Sequence, residues 1–207
     1  MERDLRLSRG SFGAIAFGEE IRIELIRKSI HLLIGIVPTL ASMNFNLTLA
    51  LLAAGTLAYA TSESLRMGGI EVPVVARLTE LAARRRDSGK YVMGPITLGL
   101  GAMLALLFYP SPAASIGIYA LAFGDGLSSL VGKMAGSIRL PFTGGKSLEG
   151  SLTCFSAVFL SAWMVSGRML PSLGIALFAM VVEAMPLKDF DNIVLPLLTG
   201  ALAWAIL

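Results

Sequence analysis

Residues 113–131 read Ala113-Ala114-Ser115-Ile116-Gly117-Ile118-Tyr119-Ala120-Leu121-Ala122-Phe123-Gly124-Asp125-Gly126-Leu127-Ser128-Ser129-Leu130-Val131. The run has the length of a bilayer-spanning helix, about 17–25 residues. Its one charge is Asp125, held between two glycines near the end of the run. An ionisable group at membrane depth costs roughly 2.5–3.5 kcal/mol on insertion scales, so its presence marks a site. Six further apolar runs lie outward from this one, at about 30–43, 47–61, 91–109, 150–166, 171–184 and 192–207. Their central parts carry no charge, and the chain as a whole is 55% hydrophobic and only 15% charged, too apolar for an ordinary soluble domain. The expected fold is all-α: a polytopic membrane bundle of about seven transmembrane helices, forming one domain over residues 1–207. Six spans, or one re-entrant pair, is the alternative count.

Basic residues set the orientation of such a bundle. Arg3, Arg6, Arg9, Arg22, Arg27 and Lys28 precede the first run, and Arg66, Arg77, Arg84, Arg85, Arg86 and Lys90 follow the second. Lys133, Arg139 and Lys146 follow the fourth, Lys188 follows the sixth, and only Arg168 falls on the opposite side. The N-terminus is therefore expected in the cytoplasm, with cytoplasmic loops at 62–90 and 132–150. Residues 1–28 form an N-terminal segment in which Phe12, Ile15, Ala16, Ile21, Ile23, Leu25 and Ile26 recur at roughly helical spacing between charges. That pattern predicts an interfacial helix leading into the first span. The stretch from Val74 to Arg86 predicts a second amphipathic helix, and Ile138–Phe142 a short hairpin. Gly99, Gly101, Ala102 and Ala105 suit close helix packing.

Several functions are disfavoured by composition. The net charge of +3, with acids interleaved among the basic loop residues, gives no nucleic-acid signature. Cys154 is the lone cysteine, so no disulfide framework or cysteine metal site is available. No apolar leader with a cleavage site is visible, so none is expected to be removed. The ten methionines read as packing, and Trp163 and Trp204 as an interfacial belt on the outer side.

The remaining polar residues fall at one depth, near the inner interface. Arg27, Lys28 and His31 open the first run, Glu63 and Arg66 close the second, and Asp125 closes the fourth. Lys146 and Glu149 open the fifth, Glu183 closes the sixth, and Asp189, Asp191 and Asn192 open the seventh. Carboxylates and cations gathered at one depth suit a divalent ion carried by a polyphosphate, because Mg²⁺ takes one or two carboxylates plus phosphate oxygens and water. The metal candidates are Asp125, Glu149, Glu183 and Asp191. Gly124, Gly126, Gly132, Lys133, Gly144, Gly145, Ser147 and Gly150 are the phosphate candidates, since glycines admit close backbone approach and lysines add charge. Gly145-Lys146-Ser147 is no P-loop: position 140, where the motif needs its first glycine, is Leu140, and no strand precedes it.

In order along the chain, Arg27-Lys28-Ser29-Ile30-His31, Phe123-Gly124-Asp125-Gly126 with Gly132-Lys133, Gly145-Lys146-Ser147-Leu148-Glu149-Gly150-Ser151, and Glu183 with Asp191-Asn192 and Pro196 resemble the polyprenol kinase family: dolichol kinase, phytol kinase and the CTP-dependent diacylglycerol kinase. The resemblance runs from about residue 24 to the end, and its Lys-Ser-x-Glu-Gly stretch is the most specific part. It implies phosphoryl transfer from CTP, with a divalent cation such as Mg²⁺, to the hydroxyl of a lipid alcohol: a polyprenol, a phytol-like isoprenoid or diacylglycerol. Arg27, Lys28, Asp125 and Gly132 are similar to positions that family needs for activity, and Glu63-x-x-Arg66 resembles its acid–arginine pair. The expected catalytic set is Asp125, Lys146, Arg27 and Lys28, with His31, Glu63, Arg66 and Asn192 as further candidates. The expected partners are a nucleoside triphosphate, a lipid alcohol and the bilayer, with a homodimer left open and nucleic acid excluded. The chain is short for the family, which implies a minimal version in a prokaryotic cytoplasmic membrane.

Two alternatives stand beside the kinase. A cytidylyltransferase of the CDP-diacylglycerol synthase type would carry a His-Gly-Gly and an Asp-Arg-x-Asp, whereas the only histidine here is His31 and the last acidic block is Lys188-Asp189-Phe190-Asp191-Asn192. A small ion-coupled transporter would place Asp125 at a broken helix near midplane, yet the acids sit at one face and no inverted repeat is seen.

Overall fold

In a computed structural model of the chain, which describes residues 2–70, 72–82 and 89–207, each apolar run carries a helix. Helix α1 (Glu2–Leu33) passes through a 3₁₀ turn at Ile34–Ile36 into α2 (Val37–Met43). The N-terminal segment is helical, as the spacing of its apolar residues suggested, and one nearly continuous helical run carries it into the first apolar stretch. Asn44 breaks the run in an extended conformation, and its side chain accepts from the Leu47 N–H at 3.0 Å, capping α3 (Phe45–Met67). Helix α4 (Pro73–Ala82) realises the first part of the expected 74–86 helix. Glu71 and residues 83–88, with Arg84, Arg85, Arg86 and Asp87, lie outside the described residues.

Helix α5 (Gly94–Phe108) starts with a proline in its first turn, where the missing N–H costs nothing. The decisive run 113–131 lies in α6 (Ala113–Tyr119), a π-helical turn (Ala120–Asp125) and α7 (Gly126–Met134) joined end to end. Helix α8 (Leu148–Ser166) is capped by Ser147 and closed by Gly167 at φ 68°. Helix α9 (Met169–Ala184) and a 3₁₀ turn (Lys188–Phe190) lead to α10 (Asp191–Ile206). Four helices are long and apolar enough to cross a membrane: Phe45–Met67, Ala113–Met134, Leu148–Ser166 and Lys188–Ile206. Helices α5 and α9 are apolar but shorter, at 15 and 16 residues. The expectation of about seven spans therefore has four full-length ones beneath it among the described residues.

The α6–α7 rod is the axis of the bundle: 61% of its apolar window is buried inside the protein, against 6% for α3. Around it, Ile116, Ala120, Cys154, Val158, Ile175, Ala179 and Leu195 form one core, and Val37, Ala102, Ala105, Ala114 and Ile118 a second. Glycines set the closest crossings. Gly101 abuts the Asn192 backbone of α10, and Gly117 abuts the carbonyl of Pro196, so that α5 and α6 both lie hard against α10. Outward-facing Leu47, Leu51 and Leu57 of α3, Leu152 and Leu160 of α8, and Leu177 and Val181 of α9 remain exposed. Apolar surface on that scale has no place in water and suits hydrocarbon.

Candidate active site

The π turn places the key acid. One extra residue per turn shifts the register relative to an α-helix, and such turns recur at functional positions. Asp125 ends this turn at 3% exposure. The flanking glycines serve packing rather than phosphate binding, which corrects their expected role. A Cβ on Gly124 would sit 3.0 Å from Val158 of α8, and one on Gly126 would sit 3.3 Å from Leu32 of α1. The glycines therefore let two helices close in on either side of the carboxylate.

From α1, Lys28 donates to Asp125 Oδ2, and His31 Nδ1 lies 3.1 Å from the same oxygen. Both basic groups are buried, Lys28 at 1% and His31 at 5% exposure. The buried charges of Lys28 and Asp125 persist because they are paired, since each alone would carry a large desolvation cost. Lys28 thus holds Asp125 rather than reaching out to a phosphate. Arg27, its neighbour, lines a cavity of about 820 Å³ that opens beside Asp125.

That cavity collects most of the candidates. Asp125, Lys146, Glu183, Asp191 and Asn192 line it together, as do Arg27, His31, Gly132, Lys133, Gly144, Gly145, Ser147 and Gly150. The expected hairpin forms, displaced toward Ser147: the Leu140 N–H donates to the Lys146 carbonyl and the Leu148 N–H to Ile138, around an Arg139–Ser147 bridge. Its turn needs φ of 71° at Gly144 and 98° at Gly145, values that glycine alone adopts freely. The hairpin returns Lys146 to the cavity, where its ammonium donates to Glu183 Oε1 at 2.8 Å and to the Glu183 carbonyl. Ser147 then caps α8, accepting from the Gly150 N–H at 3.1 Å, so the α8 N-terminus also faces the cavity. Gly132 and Gly150 meet at the α7–α8 crossing, their positions 3.3 Å apart for an added Cβ.

Three candidates go elsewhere. Glu149 is half-buried and accepts from the Ser137 and Ile138 N–H groups at 2.8 and 3.3 Å, tying down the hairpin's base instead of joining the other carboxylates. Glu63 is fully buried, but its partners are Arg66, at 2.7 Å to each oxygen, and the Val92 N–H at 2.7 Å. Arg66 also donates to the Lys90 carbonyl. The Glu63–Arg66 pair therefore fastens the chain's return into α5 and stands behind the cavity wall. Among the described residues no three acids, histidines or cysteines gather closely enough to hold a metal by themselves.

Residues not anticipated from the sequence complete the site. Glu24, 1% exposed, receives Lys133 at 2.6 Å and Arg27 at 3.1 Å, linking α1 to α7. Its signal was the spacing: Glu24, Lys28 and His31 recur at i, i+4, i+7 and share a face. Ser128, one turn after Asp125, donates to Glu183 Oε1 at 3.1 Å. Thr97 accepts from Asn192 Nδ2 at 2.9 Å. Buried polar atoms lacking partners also gather here: Arg27 Nε, Ser151 Oγ, Glu183 Oε2 and Asn192 Oδ1 all belong to lining residues. Native proteins rarely leave such atoms unsatisfied, and a cluster of them around one cavity points to a polar ligand.

Apolar residues also line it, with Ile30 and Leu33 from α1, Val75 from α4, and Met93 and Leu98 from the start of α5. The lining thus joins the polar groups of the hairpin to apolar residues of α1, α4 and α5.

No family model matches the chain, and no solved structure matches it. Curated proteins do. A probable chloroplastic phytol kinase of Zea mays is 28% identical over 89% of this chain and 67% of its own length. Phytol kinase 1 of Arabidopsis thaliana is 26% identical over 91% of this chain and 68% of its own. The farnesol kinase of the same plant is 29% identical over 87% of this chain and 64% of its own. Similarity to phytol and farnesol kinases over most of the chain supports the resemblance to the polyprenol kinase family. These relatives are named as chloroplastic plant proteins, so they lend nothing to the expected prokaryotic cytoplasmic membrane; the helices themselves speak for a membrane. Within the family frame, Arg27, Asp125 and Gly132 meet at the cavity, and Lys28 enters it through its pair with Asp125.

Proposed function

We propose that the protein is a kinase transferring the γ-phosphoryl group of CTP to the hydroxyl of a membrane lipid alcohol of the isoprenoid class. The observation that carries this reading is one cavity whose lining joins a glycine hairpin, lysines and a helix N-terminus to apolar residues of α1, α4 and α5. A hydroxyl held in the cavity meets a triphosphate held by the hairpin. The relatives named for phytol and farnesol support an isoprenoid alcohol, and the family resemblance supports CTP as donor.

The Gly144–Gly145 backbone, the α8 N-terminus, Lys146 and Arg27 bind the phosphates, favoured by the helix-end dipole and by charge. Arg27 offers a planar fork to phosphate oxygens. Glu183 and Asp191 fit a divalent cation riding on the triphosphate. Glu183 Oε2 is buried without a partner, and two carboxylates plus phosphate oxygens and water are what Mg²⁺ takes. When bound, the cation would neutralise charge on the transferred group. Asp125 is engaged by Lys28 and His31 and anchors α1 to the axis of the bundle, which holds Arg27 at the cavity. Catalysis in such a site is chiefly positioning and charge stabilisation, so small displacements of these groups are costly. By the distribution of basic residues, the site faces the side on which the N-terminus lies.

The test is purified protein with labelled CTP or ATP and a panel of farnesol, phytol, dolichol and diacylglycerol. Labelled phosphate in an isoprenoid product, dependent on CTP and Mg²⁺, is expected. Transfer of CMP would instead establish the cytidylyltransferase, and absence of any labelled lipid would refute the kinase.

A further inference from the structure

We infer that Asn192 Oδ1 is the acceptor that reads the O–H of the lipid alcohol, which rests on the kinase reading above. Asn192 is the second residue of α10 and is 4% exposed. Its Nδ2 donates to Thr97 Oγ1 at 2.9 Å and to the Gly94 carbonyl at 3.3 Å. These partners fix which way the amide faces. A carbonyl oxygen can only accept, so the atom turned toward Gly94 must be the amino nitrogen. The Thr97 hydroxyl spends its proton on the Met93 or Gly94 carbonyl, at 3.2 and 3.0 Å, and so receives from Nδ2 through a lone pair. Both of the amide's partners hold Oδ1 on the other side. That oxygen is buried without a partner, in a residue that lines the cavity.

An acceptor fixed this way calls for a donor. The nearby ammonium groups are engaged, Lys28 with Asp125, Lys133 with Glu24 and Lys146 with Glu183, and the unpartnered donors of the lining, Arg27 Nε and Ser151 Oγ, make no hydrogen bond to Oδ1. The carboxylates and the triphosphate oxygens accept only. Asn192 is docked on the first turn of α5, and Met93 and Leu98 of that same helix start line the cavity with it. The donor that arrives along those apolar residues is the hydroxyl at the end of a lipid chain. Donating its hydrogen to Oδ1 turns the alcohol's lone pairs toward the phosphoryl group. Asparagine takes no proton, so Asn192 orients the hydroxyl only. As the alcohol O–P bond forms and the bridging P–O bond breaks, CDP leaves with that electron pair and the proton passes to a phosphate oxygen. The site selects an alcohol over an ether or hydrocarbon of the same length. A site built to pair with a hydroxyl rejects the analogue lacking it, because its own polar group is then left unpaired.

The experiment is equilibrium binding of farnesol and farnesyl methyl ether to the full chain in detergent micelles, in the absence of nucleotide, for the wild type and for Asn192→Ala and Asn192→Asp. Phosphorylation of farnesol by CTP in the wild type is run first and tests the kinase reading alone, since the binding comparison needs no turnover. The wild type should bind the alcohol about tenfold or more tightly than the ether. Asn192→Ala should bring that ratio to about one and raise KM for farnesol with KM for CTP within about twofold. Asn192→Asp keeps an acceptor and should retain preference for the alcohol. Each ratio is internal to one protein, so loss of folded material cancels. A wild-type ratio near one, a ratio unchanged in Asn192→Ala, or a rise in KM for CTP alone would overturn the assignment.

Discussion

Lys28 and Asp125 meet inside the protein from positions 97 residues apart, and each is the other's means of being buried. Asp125→Asn leaves Lys28 charged and unpaired in a dry place, a loss expected to cost about 3–5 kcal/mol of stability together with activity. Thermal unfolding in micelles checks it; a variant as stable as the parent would show the pair to be ornamental. Lys146 differs, because its ammonium is a quarter exposed and its loss leaves Glu183 still held by Ser128. Lys146→Ala should therefore insert and fold with a small shift in Tm while phosphoryl transfer falls about a hundredfold or more, as loss of a transition-state charge partner does. Turnover within a fewfold of the parent would remove Lys146 from the machinery. Of these residues, the identities were legible from charge placed at membrane depth, but the pairings were not. Sequence spacing says which residues share a helix face and is silent on which face meets it.

Elements fix where these side chains stand. The hairpin between α7 and α8 owes its shape to Gly144 and Gly145 at positive φ. Gly145→Val adds a branched side chain at φ 98°, where a side chain costs roughly 1–2 kcal/mol. The expected result is a raised KM for CTP, with lipid affinity little changed; equal KM values would place the hairpin outside the nucleotide site. At the crossing of α6 and α10, a Cβ on Gly117 would drive into the Pro196 carbonyl. Gly117→Leu should destabilise by about 1–3 kcal/mol or more, as overpacking does, read as a lower Tm. The apolar helices and the close packing at Gly99, Gly101, Ala102 and Ala105 follow from local chemistry, and their positions were readable within a few residues. The π turn before Asp125 was not, since an added residue per turn leaves no trace in composition.

At the scale of the molecule, the bundle gathers one end of α1, α5, α7, α8, α9 and α10 around a shared cavity. The opposite end is tied off by Arg168, whose guanidinium donates to the Leu207 carbonyl at 2.6 Å. A ligand that bridges so many elements stabilises the folded state by mass action, by about 2.7 kcal/mol at a hundred times its Kd. With Mg²⁺ and CTP together, Tm should rise by roughly 5–10 °C for a chain of this size, and chelation with EDTA should return it to the value without nucleotide. A Tm indifferent to the pair would count against a triphosphate site. Hydropathy and the placement of charge were enough to determine an all-helical membrane protein with its polar chemistry collected at one depth. Both follow from the cost of bringing polar groups into hydrocarbon, which acts on each segment separately. Tertiary structure alone decided that Glu63 and Glu149 serve the scaffold, that the glycines beside Asp125 serve packing, and that Glu24 and Ser128 enter the site. Those outcomes depend on which helix faces meet, and that is settled by the packing of the helices against one another all at once.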